Sequence, residues 1–495
     1  MAPRRPERST SPLIPRSESP ERVALRFEGK KVTYADLERR VLLVAGALRR
    51  RWGVTSGDRV AYLGFNHPVV LELLYACARL GAVFVPINWR LAPPEHCEIL
   101  RDCAPKVLLV GRELRSQADE IGAGIDTQSS DAIEAPAPLD PAPAIESSAP
   151  VLLVYTSGAT GRPRGALLTQ EAIEWNARNS IAAHELTDAD HVLTVLPMFH
   201  VGGLNIHMTP ALAAGACVTL HARFDPGAAL RAIAADRPTM LLVVPQVSLA
   251  MTNHPDWGST DLSSLRLVTT GSSIIPAAAI RPWHERGIPV TQVYGMTESG
   301  PLAICLRRED ARRKVGSCGT PARHCEARIL DEAGRETATG EIGEIVLRGP
   351  NLFREYWGDP EATRAAFDDG WLRTGDLAHR DDDGFFYVDD RKKDLVISGG
   401  ENIRPAELEN VLAECDAIVE AAVVGRADER WGEVPVAFVV AQAGRRLTRT
   451  DVLSLFDGRL ARFKHPRDVV FLERLPRNAM GKVLKHELRA RSKED

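Results

Sequence analysis

Apolar positions along this chain fall into short unbroken runs separated by stretches with helical spacing. From residue 23 to about 110 the two patterns alternate. Runs at 59–63 and 83–85 read as strands, and 69–80 between them reads as a helix. Within 34–48, Leu37, Val41, Val44, Ala45 and Leu48 share one helical face, and Thr33 is placed to cap its start. Strand alternating with helix predicts a parallel sheet with helices on its faces. Residues 112–150 are rich in Ala, Pro, Asp and Ser and read as a long loop.

The alternation resumes with a strand at 151–155. Later runs at 192–196, 240–244, 265–269 and 290–293 are each followed by small, hydroxyl, proline or histidine residues. The endings are Pro197-Met198-Phe199-His200-Val201-Gly202-Gly203, Pro245, Thr270-Gly271-Ser272-Ser273 and Tyr294-Gly295-Met296-Thr297-Glu298-Ser299. Open parallel sheets bind ligands at the carboxyl ends of their strands, so these endings converge on one candidate site. From about 327 the texture changes to short strands and turns, such as 341–349 and 384–388, which predict a β-rich subdomain over 327–390. The charged cluster Asp389-Asp390-Arg391-Lys392-Lys393-Asp394 marks a boundary, and 395–495 carries strands at 419–424 and 437–440 and a helix at 448–456. The fold class is α/β, with a large N-terminal domain over 23–390 and a small α+β domain over 395–495.

Composition narrows the function classes. A chain of 495 residues is too long for one core. A net charge of −4 without basic blocks gives no reason to expect nucleic acid. No apolar run reaches the length of a membrane span. Residues 1–22 are rich in Arg, Pro and Ser and lack an apolar core, which predicts a disordered start rather than a secretory signal; Glu7, Glu18 and Glu21 count against a transit peptide. The eight cysteines show neither CxxC nor Cys/His metal spacing and read as reduced thiols of a cytoplasmic enzyme. Monomer and homodimer are both left open.

The most informative stretch follows the strand at 151–155: Thr156-Ser157-Gly158-Ala159-Thr160-Gly161-Arg162-Pro163-Arg164-Gly165. Glycines let backbone N–H groups turn toward an anion, hydroxyls add donors and arginines add charge, as a loop holding nucleotide phosphates requires. It is not the GxxxxGK loop ending in Ser or Thr, because glycine spacing and ending both differ. The pattern Thr-Ser-Gly-x-Thr-Gly-x-Pro-basic-Gly resembles the signature loop of the acyl-adenylate-forming enzymes, and further motifs in fixed order extend the resemblance from about 23 to 488. Ala159 stands where that family has Ser or Thr, and Arg164 where it has Lys.

The resemblance implies an N-terminal domain completed by a small β-barrel, a mobile C-terminal domain, and a set of site residues. Thr156, Ser157, Gly158, Thr160, Gly161 and Arg164 would hold the phosphates of ATP. Gly271, Tyr294, Gly295, Met296 and Thr297 would line the nucleotide, with Tyr294 against adenine and Thr297 facing phosphate. Glu298, with Thr160, would hold Mg²⁺, for which a hard carboxylate beside phosphates is suited. Asp376, in Trp371-Leu372-Arg373-Thr374-Gly375-Asp376-Leu377, would accept the ribose hydroxyls, and Arg391 would add a ribose or phosphate contact. Lys393 takes the hinge position within 391–394. Gly399, Gly400 and Glu401 resemble the loop lining the pantetheine tunnel of CoA ligases. Lys482, after Pro476-Arg477-Asn478-Ala479-Met480-Gly481, resembles the late lysine that neutralises charge at the α-phosphate. His200 would gate the acyl pocket.

The activity implied is an AMP-forming carboxylic acid:CoA ligase using ATP, Mg²⁺ and CoA. Alternatives are an acyl-AMP ligase serving a carrier protein and a non-catalytic nucleotide-binding regulator. An amino-acid adenylation domain fits less well, since no Asp stands at His200-Val201 to pair an amine and no carrier domain follows. An oxygenase of the luciferase type shares the scaffold. Residues 201–206, 270–275 and 293–303 contain no Lys or Arg, although Glu298 lies in the last. A buried anionic tail on the substrate would lack a counter-ion there, so an apolar fatty or aromatic acid is expected.

Overall fold

The computed structural model describes residue 13 and residues 19–121, 124–130, 133, 144–157, 163–271, 277–391, 394–398, 401–428, 430–460, 462–478 and 481–492. Two large sheets form the N-terminal body. The first has nine strands, with Val23–Phe27, Cys217–Leu220, His191–Thr194, Met240–Val243, Leu267–Thr270 and Val290–Tyr294 running parallel as neighbours. Its edges are antiparallel: Lys30–Thr33 on one side, Ile304–Cys305 and Thr320–Pro321 on the other. The second has seven strands, with Arg59–Leu63 between Val83–Ile87 and Val107–Val110 in parallel register.

Pro150–Ser157 joins that second sheet beside Val83–Ile87 and turns back as an antiparallel hairpin with Pro163–Thr169. Its run is apolar on both faces because both are covered: Val151, Leu152 and Val154 pack into one hydrophobic cluster and Leu153 into another. The helix expected at 34–48 runs on to Tyr34–Trp52. Thr33 Oγ1 accepts from Asp36 N at 3.0 Å, and the helix ends where Gly53 turns left-handed at φ 60°. Arg49, Arg50 and Arg51 suit the negative end of its dipole, which explains the extra turn. Pro68–Leu80 is buried throughout, as a helix apolar on every side must be.

The long loop expected over 112–150 is partly ordered: Arg115–Ile121 is helical and Thr127–Ser129 extends the sheet beside Val107–Val110. Within 1–22, expected to be disordered, Leu13 is buried in the largest hydrophobic cluster and Arg22 pairs with Asp188.

The β-rich subdomain is a five-stranded antiparallel sheet. Its long strand Trp371–Arg380 borders Gly343–Arg348 on one side and, on the other, Phe367–Asp368 and then Phe386–Arg391. A second five-stranded sheet, with Gly432–Ala441 at its centre and Ile418–Asp428 along one edge, carries the helices Pro405–Ala413, Arg449–Ser454 and Lys485–Arg491. Arg449–Ser454 is the helix expected at 448–456, with Thr448 as its cap. Among the described residues no helix is long and apolar enough to cross a membrane. All eight cysteines are free thiols.

Candidate active site

Four of the anticipated stretches meet at the carboxyl edge of the sheets. The hairpin Pro150–Ser157/Pro163–Thr169 sets Thr156 opposite Arg164, with Thr156 Oγ1 donating to the Arg164 carbonyl at 3.4 Å. A Cβ on Gly165 would lie 2.7 Å from Leu153 Cδ1, so a larger residue there would have to displace the Leu153 side chain. Glu355–Tyr356 then adds antiparallel to Pro163–Thr169, and Trp357 N donates to the Gly165 carbonyl at 2.7 Å. That pairing brings Tyr356 beside the turn Thr297–Ser299. Its phenol donates to Glu298 Oε1 at 2.7 Å, and Phe353 N donates to the Glu298 carbonyl at 2.8 Å. Burial, and then the charge of Glu298, pushes the Tyr356 phenol well above its usual range. Arg164 sits over the same ring, 5.6 Å from its centroid, with its Nε 3.8 Å from Asp359.

Tyr294 ends its strand half-buried and donates from Oη to Asp376 Oδ2 at 2.9 Å. Burial first, then the neighbouring Asp376 carboxylate, keeps this phenol protonated far above neutrality. Asp376 is buried; Thr374 Oγ1 accepts from its backbone N at 3.1 Å and donates to the Ile345 carbonyl at 2.7 Å. Across the strand pair, Asp376 stands opposite Arg391. Gly295 and Gly271 answer to packing: a Cβ on Gly295 would fall 1.7 Å from the Pro301 carbonyl oxygen, and one on Gly271 2.9 Å from Val293 Cγ2.

The turn bearing Met296, Thr297 and Glu298 is held by buried amides outside every motif quoted above. Ser299 Oγ accepts from Met296 N at 2.9 Å, and Asn351 Nδ2 donates to the Ser299 carbonyl at 2.6 Å. Asn176 Oδ1 accepts from Leu302 N at 3.0 Å, and Asn205 Nδ2 donates to the Gly300 carbonyl at 3.3 Å. Asn176 lies on the helix Gln170–His184, where no local motif distinguishes it from a solvated polar residue.

His200 Nδ1 accepts from Gly202 N at 3.3 Å and so starts the short helix Val201–Gly203. A π-turn, Leu204–Met208, follows directly, a distortion common beside functional sites. Burial lowers His200 to about 4, so it is neutral at physiological pH. Lys482 lies in a tight turn bracketed by Asn478, whose side chain accepts from Lys482 N at 2.9 Å and whose N donates to the Lys482 carbonyl at 2.8 Å. Gly481 adopts φ 76°, and its Cβ position lies 2.8 Å from Gln246 Oε1 on the helix Pro245–Thr252. The lysine turn therefore rests on the N-terminal body.

Gly158, Thr160, Gly161, Lys393, Gly399 and Gly400 lie outside the described residues. Ser157 and Arg391 end their strands, and Glu401 begins Glu401–Ile403.

Residues 16–357 match the model for the AMP-binding enzyme family, and residues 407–482 match that for the AMP-binding enzyme C-terminal domain. Indoleacetate–CoA ligase of Aromatoleum aromaticum is 48% identical over 487 residues, covering 95% of both chains. Feruloyl-CoA synthase of an Amycolatopsis species is 43% identical, covering 96% of both. The structure of O-succinylbenzoate coenzyme A synthetase from Bacillus subtilis, in complex with ATP and magnesium ion, superposes with a TM-score of 0.87 at 34% identity, over 95% of this chain and 97% of that one. The chain belongs to the AMP-binding enzyme family and is an ATP-dependent acyl-CoA synthetase, an acid–thiol ligase that passes through an acyl-adenylate.

Proposed function

We propose that the acid is an apolar aryl or arylalkyl monocarboxylate. The observation that carries this reading is the wall without cations beside His200: residues 201–206 and 293–303 bring no Lys or Arg, Glu298 is their one charged residue, and Val201, Leu204, Ile206, Val293 and Leu302 are buried. A second carboxylate placed there would be desolvated without a counter-ion. The names of two relatives, ligases of indoleacetate and ferulate, support the aryl choice.

In this reading Tyr294 lies against adenine, Asp376 accepts the ribose hydroxyls, and the hairpin with Arg164 cradles the phosphates. The carboxylate attacks the α-phosphorus and pyrophosphate leaves; CoA sulfur then attacks the acyl carbonyl and AMP leaves. Lys482 offsets the negative charge that two anions bring together in the first step. His200, uncharged, stands at the acyl side and gates the pocket between steps. Residues 391–394 are the hinge, and 395–495 turn about it. Glu298, with Thr160, would hold Mg²⁺. A single buried carboxylate fits an ion held chiefly by phosphate oxygens and water, and no group of three acidic, His or Cys side chains occurs among the described residues. Bound there, the ion would neutralise phosphate charge.

A panel of indoleacetate, phenylacetate, ferulate, benzoate, hexanoate, palmitate and succinate, with ATP and CoA, tests the reading. AMP and acyl-CoA should form fastest with an aryl acid. Succinate turning over faster than hexanoate and every aryl acid would overturn it.

A further inference from the structure

One buried side chain bridges the two large sheets just before His200 begins its helix. Asn66 lies in the connection between the strand Arg59–Leu63 of the seven-stranded sheet and the helix Pro68–Leu80, and it is 5% exposed. Its amide reaches into the nine-stranded sheet. Nδ2 donates to the Leu196 carbonyl at 2.9 Å and to the His221 carbonyl at 3.0 Å, and Oδ1 accepts from Met198 N at 2.8 Å. Leu196 and His221 lie just past the neighbouring parallel strands His191–Thr194 and Cys217–Leu220, so one side chain ties two strand exits to the other sheet. Two carbonyls and one N–H call for an amide here; a carboxylate would offer acceptors to acceptors.

Asn66 is itself held. Its N donates to the Ala222 carbonyl at 3.2 Å, Phe65 N donates to Glu113 Oε1 at 2.7 Å, and Tyr62 Oη donates to the Phe65 carbonyl at 3.3 Å. The Phe65 ring meets Trp89 edge-on at 4.7 Å, and Trp89 meets Phe199 edge-on at 6.5 Å. Residues 65 and 66 thus grip 196–199 through hydrogen bonds and through a row of rings. His200 comes next, its N donating to the Pro197 carbonyl at 3.4 Å. The helix start packs on that same oxygen, which would stand 2.3 Å from a Cβ on Gly203. We propose that Asn66 is a positioning residue for His200: it pins the backbone of 196–200, so that gating of the acyl pocket is a rotation of the imidazole and not a movement of the loop. Rotation gives up one bond, that from Gly202 N to His200 Nδ1 at 3.3 Å. Moving the loop would also break the bonds of Asn66 to Leu196 and Met198, leaving buried groups without partners.

The inference rests on His200 as the gate, and its test separates the two. Pyrophosphate exchange and transfer from bound acyl-AMP to CoA are measured, each below the variant's Tm, for wild type, Asn66→Ser, Asn66→Ala, His200→Ala and the double variant Asn66→Ala/His200→Ala. Asn66→Ala should slow transfer about tenfold more than exchange, the scale of one lost hydrogen bond, and leave KM for ATP at its wild-type value. Asn66→Ser, whose hydroxyl can still meet one partner, should fall between Asn66→Ala and wild type. In the His200→Ala background the added loss from Asn66→Ala should vanish, because no imidazole remains to be placed. Equal loss in both half-reactions, or a full additional loss on top of His200→Ala, would overturn the positioning role. A His200→Ala enzyme with wild-type transfer would overturn the gate itself, whatever Asn66 does.

Discussion

Tyr356 reaches Glu298 from 58 residues downstream, its phenol donating to Oε1 at 2.7 Å. The bond fixes one carboxylate oxygen, and in the proposed metal role the acid would meet the ion already oriented. Glu298→Gln should slow adenylation by about 10²–10³, the cost of removing one electrostatic stabiliser. Tyr356→Phe keeps the acid and removes only its anchor. Adenylation should fall about tenfold, equivalent to one hydrogen bond of ~1.4 kcal/mol, and half-saturation by Mg²⁺ should rise. A Tyr356→Phe enzyme with a lowered Tm but an unchanged Mg²⁺ curve would show the phenol to be structural only.

Asp376 and Tyr294 form the second linked pair, joined at 2.9 Å between the large sheet and the β-rich subdomain. Asp376→Ala should raise KM for ATP about tenfold to a hundredfold, since a buried carboxylate accepting hydroxyl protons makes charge-assisted bonds. Tyr294→Phe retains the ring but releases the carboxylate, and should raise KM for ATP by a smaller factor. Equal KM in wild type and Asp376→Ala would remove Asp376 from the nucleotide site.

These two pairs show what the sequence makes legible. Glu298 stands in a contiguous motif just past the strand Val290–Tyr294 and Asp376 in one inside the strand Trp371–Arg380, so each motif is read from neighbouring residues. Tyr356 belongs to a two-residue strand whose pairing with Pro163–Thr169 is set by tertiary packing. Nothing local marks it. The same holds for Asn176, Asn205 and Asn351, which tie the 296–302 turn from three separate elements. Thr127–Ser129 was hidden for another reason. It is a polar edge strand, fixed by parallel pairing with Val107–Val110 rather than by apolar alternation.

Gly295 distinguishes packing from ligand contact. Its missing side chain makes room for the Pro301 carbonyl, 1.7 Å from where a Cβ would stand. Gly295→Ala should therefore destabilise the free protein by at least the 1–3 kcal/mol typical of overpacking, as about that loss in denaturant unfolding without nucleotide. A variant of wild-type stability that had lost only ATP affinity would assign the glycine to the ligand instead.

Three desolvated imidazoles, His184 and His207 buried and His200 partly exposed, give stability a pH dependence of definite sign. Burial lowers His184 and His200 each to about 4, and His207 well below its usual value. The unfolded chain takes up protons near pH 6.5 and the folded one does not, so stability is full above about pH 7 and falls as pH drops toward 4. Each group contributes about 2 kcal/mol of loss by pH 5. Denaturation midpoints should fall between pH 7 and 5, and His200→Gln should make that fall shallower. The same variant should leave the shape of the pH–rate profile between 6 and 8 unchanged, because His200 does not titrate there. A slope that His200→Gln left untouched would mean the imidazole is protonated in the folded state.

In the proposed reading Lys482 and the 399–401 loop, both within 395–495, serve different half-reactions at one carbonyl, so that segment would turn between them. In this structure the Lys482 turn rests on Gln246 through Gly481. In the proposed reading this contact belongs to the first half-reaction, for which the ammonium is needed at the α-phosphate. Lys482→Ala should abolish pyrophosphate exchange and leave transfer from supplied acyl-AMP to CoA largely intact. Gln246→Trp should push the turn off its seat and lower exchange in the same selective way, with Lys482 still present. The opposite selectivity is expected at the hinge. Lys393→Pro fixes φ near −65° and removes a backbone donor, so exchange should persist while transfer to CoA falls sharply. If Gln246→Trp depressed both half-reactions equally, or Lys393→Pro spared transfer, the two steps would not be separated by a rotation about this boundary.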